Sequence, residues 1–458
     1  MSFKLRQSVV AVTSVMLFAS GLNAMADSTE DIVNALVSKG VLTDEEGLLI
    51  IKGRAGEKEI AEKKVKSNPT LEVGKKGLVI KGADGDFSIK LGGRMHADYT
   101  NHTGDESLSG GKEAVDGTEI RRGRIALSGT VYKDYDYIIE TDFGGDRISV
   151  KDLFLVYHGF DAPLDFTVGH QKHAVSMEIQ ESSNDIMFTE RSLVSALTVP
   201  YFDRAIGINL KGFGDNWNVQ GGVYGDSMTN GTSNKDEGKG FGARGSFAPI
   251  NEADKVLHVG ASLGYRKVSE DNLSNTKATE FSYRTTNLSG LKLSDARFTN
   301  MDDVSLAGVE LAGMYGPLSF QSEYARASVS RTTGSDVDFD AFYAQIGYTL
   351  TGESRTYKGS DGEFKRLTPK NNFDWKKGTW GAWEVAGRYD ELDLNDGNIT
   401  GGEQKRVSLS LNWYLNDDVR VLAGYTRAFD LEDAPITKAD GSDADDIDVY
   451  TVRAQWAF

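Results

Sequence analysis

The last thirteen residues of the chain, DIDVYTVRAQWAF, alternate between two kinds of side chain with a period of two. One face is apolar with aromatic residues at its ends, and the other face carries Thr451, Arg453 and Gln455. A soluble sheet with one buried face shows the same alternation. A strand that places apolar residues outward, keeps charge inward and ends the chain on Phe458 is more typical of the closing strand of an outer-membrane barrel. The sequence therefore predicts a protein that crosses a membrane with strands.

The beginning of the chain predicts export. Two cations precede an apolar run from about Val9 to Leu17, and residues 24–26, AMA, form a small-residue cleavage site. This pattern predicts a signal peptide over residues 1–26, which takes no part in the fold. No later segment approaches the roughly 18 consecutive apolar residues that a membrane helix needs. A membrane-spanning protein of this sequence must therefore be a closed barrel.

Composition narrows the class of protein further. The chain has no cysteine, which excludes a disulfide-stapled fold and a zinc–thiolate site. Its 51 glycines and 7 prolines suit many long strands joined by turns. The 68 acidic residues outnumber the 51 basic ones, for a net charge of −17, which argues against a nucleic-acid partner. We expect much of this acidity to lie in solvated loops.

The chain divides into a helical segment and a strand-rich remainder. Residues 27–70 predict two helices, the first capped by Ser28 or Thr29 and the second beginning after Thr43. We expect this segment to be a periplasmic helical hairpin or a short coiled coil between protomers. Residues 71–458 predict the outer-membrane β-barrel.

Turn spacing predicts the number of strands. Residues 118–132, 135–143 and 406–415 show clear two-residue periods, and short turns alternate with long polar loops. The pattern predicts an all-β fold, a transmembrane antiparallel barrel of about 16 strands with both ends periplasmic. This count requires the strand-like segment Lys277–Asn287 to stay within one outer loop. A barrel of this size can hold a water-filled channel.

One connection between strands, residues 171–202, is too apolar to lie free in water. Its apolar residues are Val175, Met177, Ile179, Ile186, Met187, Phe188, Leu193, Val194 and Leu197. Ordinary loops run over the surface and are polar. We therefore expect this segment to fold into the barrel as a constriction loop that narrows the lumen.

Several stretches of the chain, in this order, resemble the phosphate-selective porin O/P family. They are RRGRIALSGTVYKDYDYIIETDFGG (121–145), LFLVYHGF (153–160), VGHQKHAVSMEIQESSNDIMFTERS (168–192), TGESRTY (351–357), GAWE (381–384) and LNWYLN (411–416). The resemblance spans roughly residues 27–458. It implies a trimeric channel of sixteen strands whose third outer loop folds into the pore, of the phosphate or polyphosphate type.

In a porin, charged side chains in the lumen and constriction select the solute. The candidate pore-constriction and solute-binding residues are Lys172, Arg191, His170, His173, Arg122, Arg124 and Arg94. The two-residue period also turns Arg388, Arg406 and Arg453 inward, opposite carboxylates on other strands. We expect Glu190 to hold the loop in place, because a buried charge needs a partner.

The sequence thus predicts an outer-membrane porin for passive diffusion of small hydrophilic solutes, with anions such as phosphate favoured. Its expected partners are these solutes, outer-membrane lipid and lipopolysaccharide, and two further copies of the chain. No cofactor, metal site or enzymatic activity is predicted.

Other functions stay open at this stage. Four carboxylates in the loop, against Lys172 and Arg191, are compatible with a general or cation-preferring porin. An outer-membrane hydrolase using His170 or His173 with a nearby serine is a rival class. An adhesive or structural barrel is another, and a conductance measurement separates these classes.

Overall fold

The structure is a computed structural model, and it describes residues 28–66, 68–74, 77–104, 114–226, 236–268, 279–298, 300–436 and 444–458. The predicted signal peptide lies outside these residues. The chain forms two units, a helical unit within residues 1–70 and a β unit that holds most of residues 71–458.

The helical unit consists of α1 (Ser28–Ser38) and α2 (Asp44–Lys66). Gly40, with a φ of +69°, follows α1 in the left-handed conformation common after a helix end. Thr43 and Glu46 form a capping box, in which the Thr43 N–H donates to Glu46 Oε2 at 2.8 Å and the Glu46 N–H donates to Thr43 Oγ1 at 3.3 Å. None of the helices in the described ranges is long and apolar enough to cross a membrane.

Sixteen long antiparallel strands form a closed barrel, which confirms the predicted fold class. Each strand pairs with its neighbours in chain order, and the last pairs back with the first, Arg453 lying opposite Asp98. Closure gives the N–H and C=O groups at every strand edge a hydrogen-bonding partner, which lipid cannot supply. The barrel strands are β3 (Ser88–Gly104), β4 (Gly117–Val131), β5 (Tyr135–Asp142), β6 (Ser149–Tyr157), β7 (Leu164–Lys172), β8 (Arg204–Phe213), β9 (Trp217–Tyr224), β10 (Lys239–Asn251), β11 (Lys255–Lys267), β14 (Met301–Tyr315), β15 (Leu318–Arg331), β16 (Val337–Thr349), β19 (Ala382–Asp396), β20 (Ile399–Tyr414), β21 (Val419–Glu432) and β22 (Asp446–Ala457).

The remaining strands form three short hairpins. Strands β1 (Thr70–Gly74) and β2 (Gly77–Lys81) pair with each other, and β2 pairs with the start of β3. The other two hairpins lie inside connections between barrel strands. They are β12 (Thr279–Arg284) with β13 (Lys292–Phe298), and β17 (Thr356–Lys358) with β18 (Glu363–Lys365).

The alternation in β22 matches the prediction from the last thirteen residues. Val452 and Trp456 are 49% and 46% exposed on the outer face, whereas Arg453 is fully buried on the inner face. Apolar side chains thus point toward lipid and charged ones toward the lumen, as a membrane barrel requires.

The barrel has a termini end, where β3 begins and β22 ends, and an opposite loop end. The termini end carries short turns as predicted, with one exception, since β16 and β19 are joined there by residues 350–381. At the loop end, the strand-like segment Lys277–Asn287 contributes β12, which pairs with β13 and not with the barrel. The predicted count of sixteen strands is therefore confirmed, whereas the expectation that every turn at the termini end is short is wrong for residues 350–381.

Candidate functional site

The connection between β7 and β8, residues 173–203, folds into the barrel and is called the constriction loop below. It carries α3 (Met177–Gln180) and α4 (Ser195–Phe202). Its apolar residues Val175 and Leu193 are fully buried and pack in one cluster with side chains of the barrel wall. Burial of this apolar surface favours the inward position of the loop, which confirms the sequence prediction.

Arginines on the last four barrel strands hold the constriction loop by its backbone. Their guanidinium groups donate to loop carbonyls, Arg388 to Glu190 (3.1 Å), Arg406 to Arg191 (3.3 Å), Arg420 to Ile186 (2.9 Å) and Arg453 to Thr189 (2.6 Å). All four side chains are buried. These arginines, three of which the sequence placed in the lumen, therefore position the loop.

Two wall carboxylates hold the loop through its N–H groups. Glu323 accepts from the N–H groups of Met177 (3.0 Å) and Glu178 (2.7 Å), which begin α3 and lack partners within the helix. Asp390 accepts from the N–H of Leu193 at 2.9 Å. Glu323 therefore fixes the N-terminus of α3 on the wall through two of its N–H groups.

Glu190 anchors the loop to the adjoining part of the wall, strands β4 and β22. It accepts two hydrogen bonds from Arg121, at 2.7 and 3.0 Å, and lies 3.4 Å from Arg122 and 3.3 Å from Arg453. Burial alone would raise the pKa of Glu190, but Arg121, Arg122 and Arg453 hold it well below the ordinary value of 4.5. The predicted role of Glu190 thus corresponds to one ionised carboxylate shared by three arginines.

Two β-bulges turn additional cations into the lumen. A shift in register between β3 and β4 leaves Arg121 as an extra residue between Arg122 and Ile120. A second shift, between β5 and β6, leaves Lys151 and Asp152 opposite a single residue. Bulges interrupt the two-residue alternation and re-aim side chains. Arg121 and Lys151 both line the cavity described next.

A cavity of about 440 Å³ lies against the constriction loop. Its lining includes seven basic residues, Arg121, Arg122, Arg124, Lys151, Arg191, Arg204 and Arg284, and four acidic ones, Asp142, Glu190, Asp203 and Glu280. A concave wall with an excess of one charge concentrates ions of the opposite sign. This basic cavity is the candidate site for an anionic solute.

Three of the cavity cations have no carboxylate partner within the described residues. Lys151 and Arg284 form no ion pair there. Arg191 donates to the backbone carbonyls of Glu178 (3.0 Å) and Glu181 (2.8 Å). Their charges are therefore not cancelled by a directly bonded carboxylate, and they add uncompensated positive charge to the cavity.

Of the seven predicted site residues, Arg122, Arg124 and Arg191 line the basic cavity together. Arg94 does not line it, and instead pairs with Glu140 at 2.8 Å. Lys172 donates to the carbonyl of Gln180 at 2.8 Å and so supports the fold of the loop. The cavity thus unites three of the predicted cations and leaves the other two in structural contacts.

The two predicted histidines lie away from the cavity lining. His170 has its Nδ1 2.7 Å from the Lys151 carbonyl. His173 is buried against Tyr224, with ring centroids 4.0 Å apart, and burial together with the nearby Arg266 lowers its pKa to about 3. His173 is therefore neutral at physiological pH. In the described part of the chain, no group of three or more His, Cys, Asp or Glu residues could hold a metal ion.

A Gly-x-Ser-x-Gly sequence, the pattern of a hydrolase nucleophile elbow, occurs at Gly260–Gly264. A nucleophile elbow is a sharp turn between a strand and a helix. Here the sequence lies within strand β11, and Ser262 is buried with its Oγ accepting a hydrogen bond from the N–H of Ser176 at 3.3 Å. This geometry does not expose a nucleophile.

Sequence reasoning missed Arg121, Lys151, Arg204 and Arg284 as cavity residues. Arg121 and Lys151 sit at bulges, where a strict two-residue alternation places them on the wrong face. Arg204 begins β8 directly after the loop and pairs with Asp152 at 2.9 Å. The adjacent arginines 121 and 122 were a usable signal of a bulge. In a regular strand one of two neighbouring side chains faces lipid, which would place an arginine charge in the membrane.

Comparison with known sequences gives one family. The sequence profile described as Phosphate-selective porin O and P matches residues 89–458. The chain is 30% identical over 416 residues to Porin O of Pseudomonas aeruginosa, an alignment that includes 84% of this chain and 91% of that protein. It is 28% identical over 357 residues to an uncharacterized protein of Caulobacter vibrioides, with 74% and 68% of the two chains aligned.

Solved structures of outer-membrane proteins share the fold. The anion-selective porin from Comamonas acidovorans matches with a TM-score of 0.51 and 13% identity, over 81% of this chain and all of that chain. A loop-deletion form of OmpT, an outer membrane protein of Vibrio cholerae, matches with a TM-score of 0.52 and 12% identity over the same shares. At these identities the likeness concerns the barrel architecture alone.

Proposed function

Because the chain belongs to the phosphate-selective porin O and P family, we propose that its barrel passes small hydrophilic anions by passive diffusion, with phosphate as the leading solute. The chain is an outer-membrane porin, a channel rather than an enzyme. The preferred solute depends on the residues of the site.

The excess of basic residues in the cavity beside the constriction loop carries the proposal. Phosphate is bound best by charge-assisted donors, the guanidinium and ammonium groups of Arg and Lys. Lys151, Arg191 and Arg284 line the cavity without a carboxylate partner in the described ranges. An anion entering from the loop end meets these three cations next to the narrow part of the lumen.

Two of the four loop carboxylates that favoured a cation-preferring porin, Glu178 and Glu190, are engaged in the fold. Glu178 accepts from the N–H of Ser192 at 2.8 Å, and Glu190 is shared by three arginines. The charges of these two carboxylates hold the loop in place. This arrangement supports anion preference over the alternative of a general or cation-preferring porin.

The proposal extends to the surroundings of the channel. We propose that three copies of the chain form a homotrimer and that this trimer lies in outer-membrane lipid and lipopolysaccharide. We also propose that the chain is exported with residues 1–26 as its signal peptide. Family membership and the apolar outer face of the barrel support them.

The direct test is the zero-current potential of the purified protein in a planar bilayer across a salt gradient, with and without phosphate. We expect an anion-selective potential and a chloride current that phosphate reduces. A cation-selective potential that phosphate leaves unchanged would contradict the proposal. Absence of conductance would reopen the hydrolase and adhesin classes.

Replacing Lys151 with glutamine is expected to lower the anion-to-cation permeability ratio about fivefold. Two unit charges 4 Å apart in water interact by about 1 kcal/mol, which corresponds to that factor. The control is Lys255→Gln, which removes an exposed lysine next to Glu252 at the termini end. An equal effect of both substitutions would show that the cavity has no special part in selection.

A further inference from the structure

The long connection at the termini end, residues 350–381, enters the lumen from the side opposite the constriction loop. We call it the termini-end segment, and it contains the hairpin of β17 and β18. Phe364 of this hairpin is fully buried, and Glu363 is 6% exposed. A connection that only joined two strands would need a few residues and would be exposed. This segment therefore adds a second infolded element to the channel.

Strands on one side of the barrel hold the tip of this segment. Arg244 donates to the carbonyls of Asp361 (3.1 Å) and Gly362 (2.7 Å), and Lys211 pairs with the Asp361 carboxylate at 2.8 Å. Arg244 is itself fixed by Glu310, with hydrogen bonds of 2.8 and 2.7 Å. The tip is thus attached to the wall by buried charges.

The termini-end segment also contacts the constriction loop inside the lumen, and we call this contact the seam. Phe364 packs in one cluster with Met177 of the loop. Arg355 donates to the carbonyl of Asp185 at 3.0 Å. The two infolded elements come from opposite ends of the barrel and meet against wall residues of β11 and β14, so their contact fills part of the lumen.

Two carboxyl groups at the seam are buried without a full set of partners. Glu181 of the loop is 1% exposed, and its Oε1 has no hydrogen-bond partner among the described residues. Within the same part of the chain, Oε2 of Glu363 also lacks a partner, whereas its Oε1 pairs with Lys365. An ionised carboxylate in such a place is costly when its hydrogen bonds to water are not all replaced, and Glu181 gains one side-chain hydrogen bond, from Gln321 at 3.2 Å.

The charged and titratable groups that face these carboxyls do not remove this cost. They come from the loop (Glu178 and Arg191), the termini-end segment (Arg355, Tyr357, Asp361 and Lys365) and the wall (Lys172 on β7, Arg244 on β10, Glu323 on β15 and Tyr343 on β16). Burial raises the pKa of Glu181 to about 7, against the lowering effect of Arg355, and the nearby Glu363 adds to the rise. Burial also raises the pKa of Glu363, although Lys365 and Lys172 oppose it.

We propose that the seam is a pH-controlled gate, in which the constriction loop and the termini-end segment stay docked while Glu181 and Glu363 are protonated and separate when these groups ionise. Separation gives both carboxylates access to water and widens the passage. The proposal requires only that the barrel conducts ions, so it is independent of which ion the basic cavity prefers.

The direction of the pH effect follows from the sign of the shifts. An undocked glutamate ionises near its ordinary pKa of 4.5, whereas docked Glu181 ionises near a pKa of about 7. Between these values the docked state holds a proton that the undocked state has lost, so docking weakens by up to about tenfold per pH unit for this group. Docking is therefore strongest in acid, and conductance is expected to rise between pH 5 and pH 8.

The test is single-channel conductance of the full chain in planar bilayers from pH 5 to pH 8. The wild type is expected to show a growing open level, and Glu181→Gln/Glu363→Gln is expected to stay at the low level throughout. Glu252→Gln, which neutralises an exposed turn carboxylate at the same end, is the matched control and should respond like the wild type. A flat wild-type profile, or the same rise in the double variant, would overturn the proposal.

A covalent lock separates movement of the seam from other effects of pH. The chain has no cysteine, so Met177→Cys/Phe364→Cys places the only two thiols at the seam. When the disulfide is formed, as mass spectrometry can verify, conductance is expected to stay low at pH 8, and reduction should restore the rise. A disulfide-linked variant that still responds to pH would refute the gate. Since the zero-current potential tests anion preference separately, either proposal can fail without the other.

Discussion

A variant that lacks Val175–Thr189 is expected to conduct several times more current per channel than the intact chain. This stretch contains α3 and two of the four loop carbonyls that the wall arginines hold. A barrel of sixteen strands is wide enough for an aqueous channel when its lumen is not filled. The deletion replaces packed loop by water, and the measurement is single-channel conductance at fixed salt.

The barrel itself should survive this deletion. Arg420 and Arg453 lose loop carbonyls, but the widened lumen hydrates them, so no buried charge is left unpaired. Glu190 remains in the chain with its partner Arg121. A matched control removes residues 333–335 from an exposed loop at the same end. Unchanged conductance after the first deletion would place the loop outside the conduction path.

Replacement of Glu190 by glutamine is expected to lower the free energy of unfolding by about 3 kcal/mol and to increase anion preference. Removing one partner of a buried ion pair lowers the free energy of unfolding by about 3–5 kcal/mol. We expect the lower end of this range for Glu190, because 27% of its side chain is exposed. Arg121, Arg122 and Arg453 would lose their shared counter-charge. Denaturant unfolding and the zero-current potential measure the two effects.

The matched control for this prediction is Glu280→Gln. Glu280 lines the same cavity, but it is more exposed and pairs with Lys292 at 2.8 Å. We expect it to increase anion preference while changing stability by less than about 1 kcal/mol, as for other exposed pairs. If both variants lose the same stability, Glu190 is not an anchor.

The anchoring role of Glu190 also predicts a pH dependence. Its pKa is held well below the ordinary value of 4.5, so its contribution to stability is present above about pH 4.5. That contribution is lost as the pH falls toward the lowered pKa. The glutamine variant should lack this part of the acid sensitivity.

The barrel could be predicted from the sequence because its strands repeat a simple pattern. Apolar and polar residues alternate wherever one face meets lipid and the other meets the lumen, and β22 shows this without interruption. The constriction loop was predictable for a related reason, since Val175 and Leu193 have no place in an exposed connection. Both predictions rest on where apolar surface can be buried.

The site was harder to predict, because it depends on exceptions to that pattern. Arg121 and Lys151 reach the cavity through bulges, and a bulge leaves no regular mark in composition or period. Residues 350–381 contain many polar side chains, so nothing in their hydropathy required an inward position. Which arginines bind the loop backbone and which line the cavity depends on distances of a few ångströms, as Arg388 and Arg284 illustrate.

The constriction loop is held chiefly through its peptide groups. Ile186, Met187 and Thr189 are bound by their carbonyl oxygens, and Leu193 by its N–H. Every amino acid supplies the same carbonyl, so exchanging the side chain at such a position leaves the bond to the wall in place. Evolution of this barrel can therefore alter what the narrow passage recognises by single substitutions in the loop, while the scaffold that positions it stays constant.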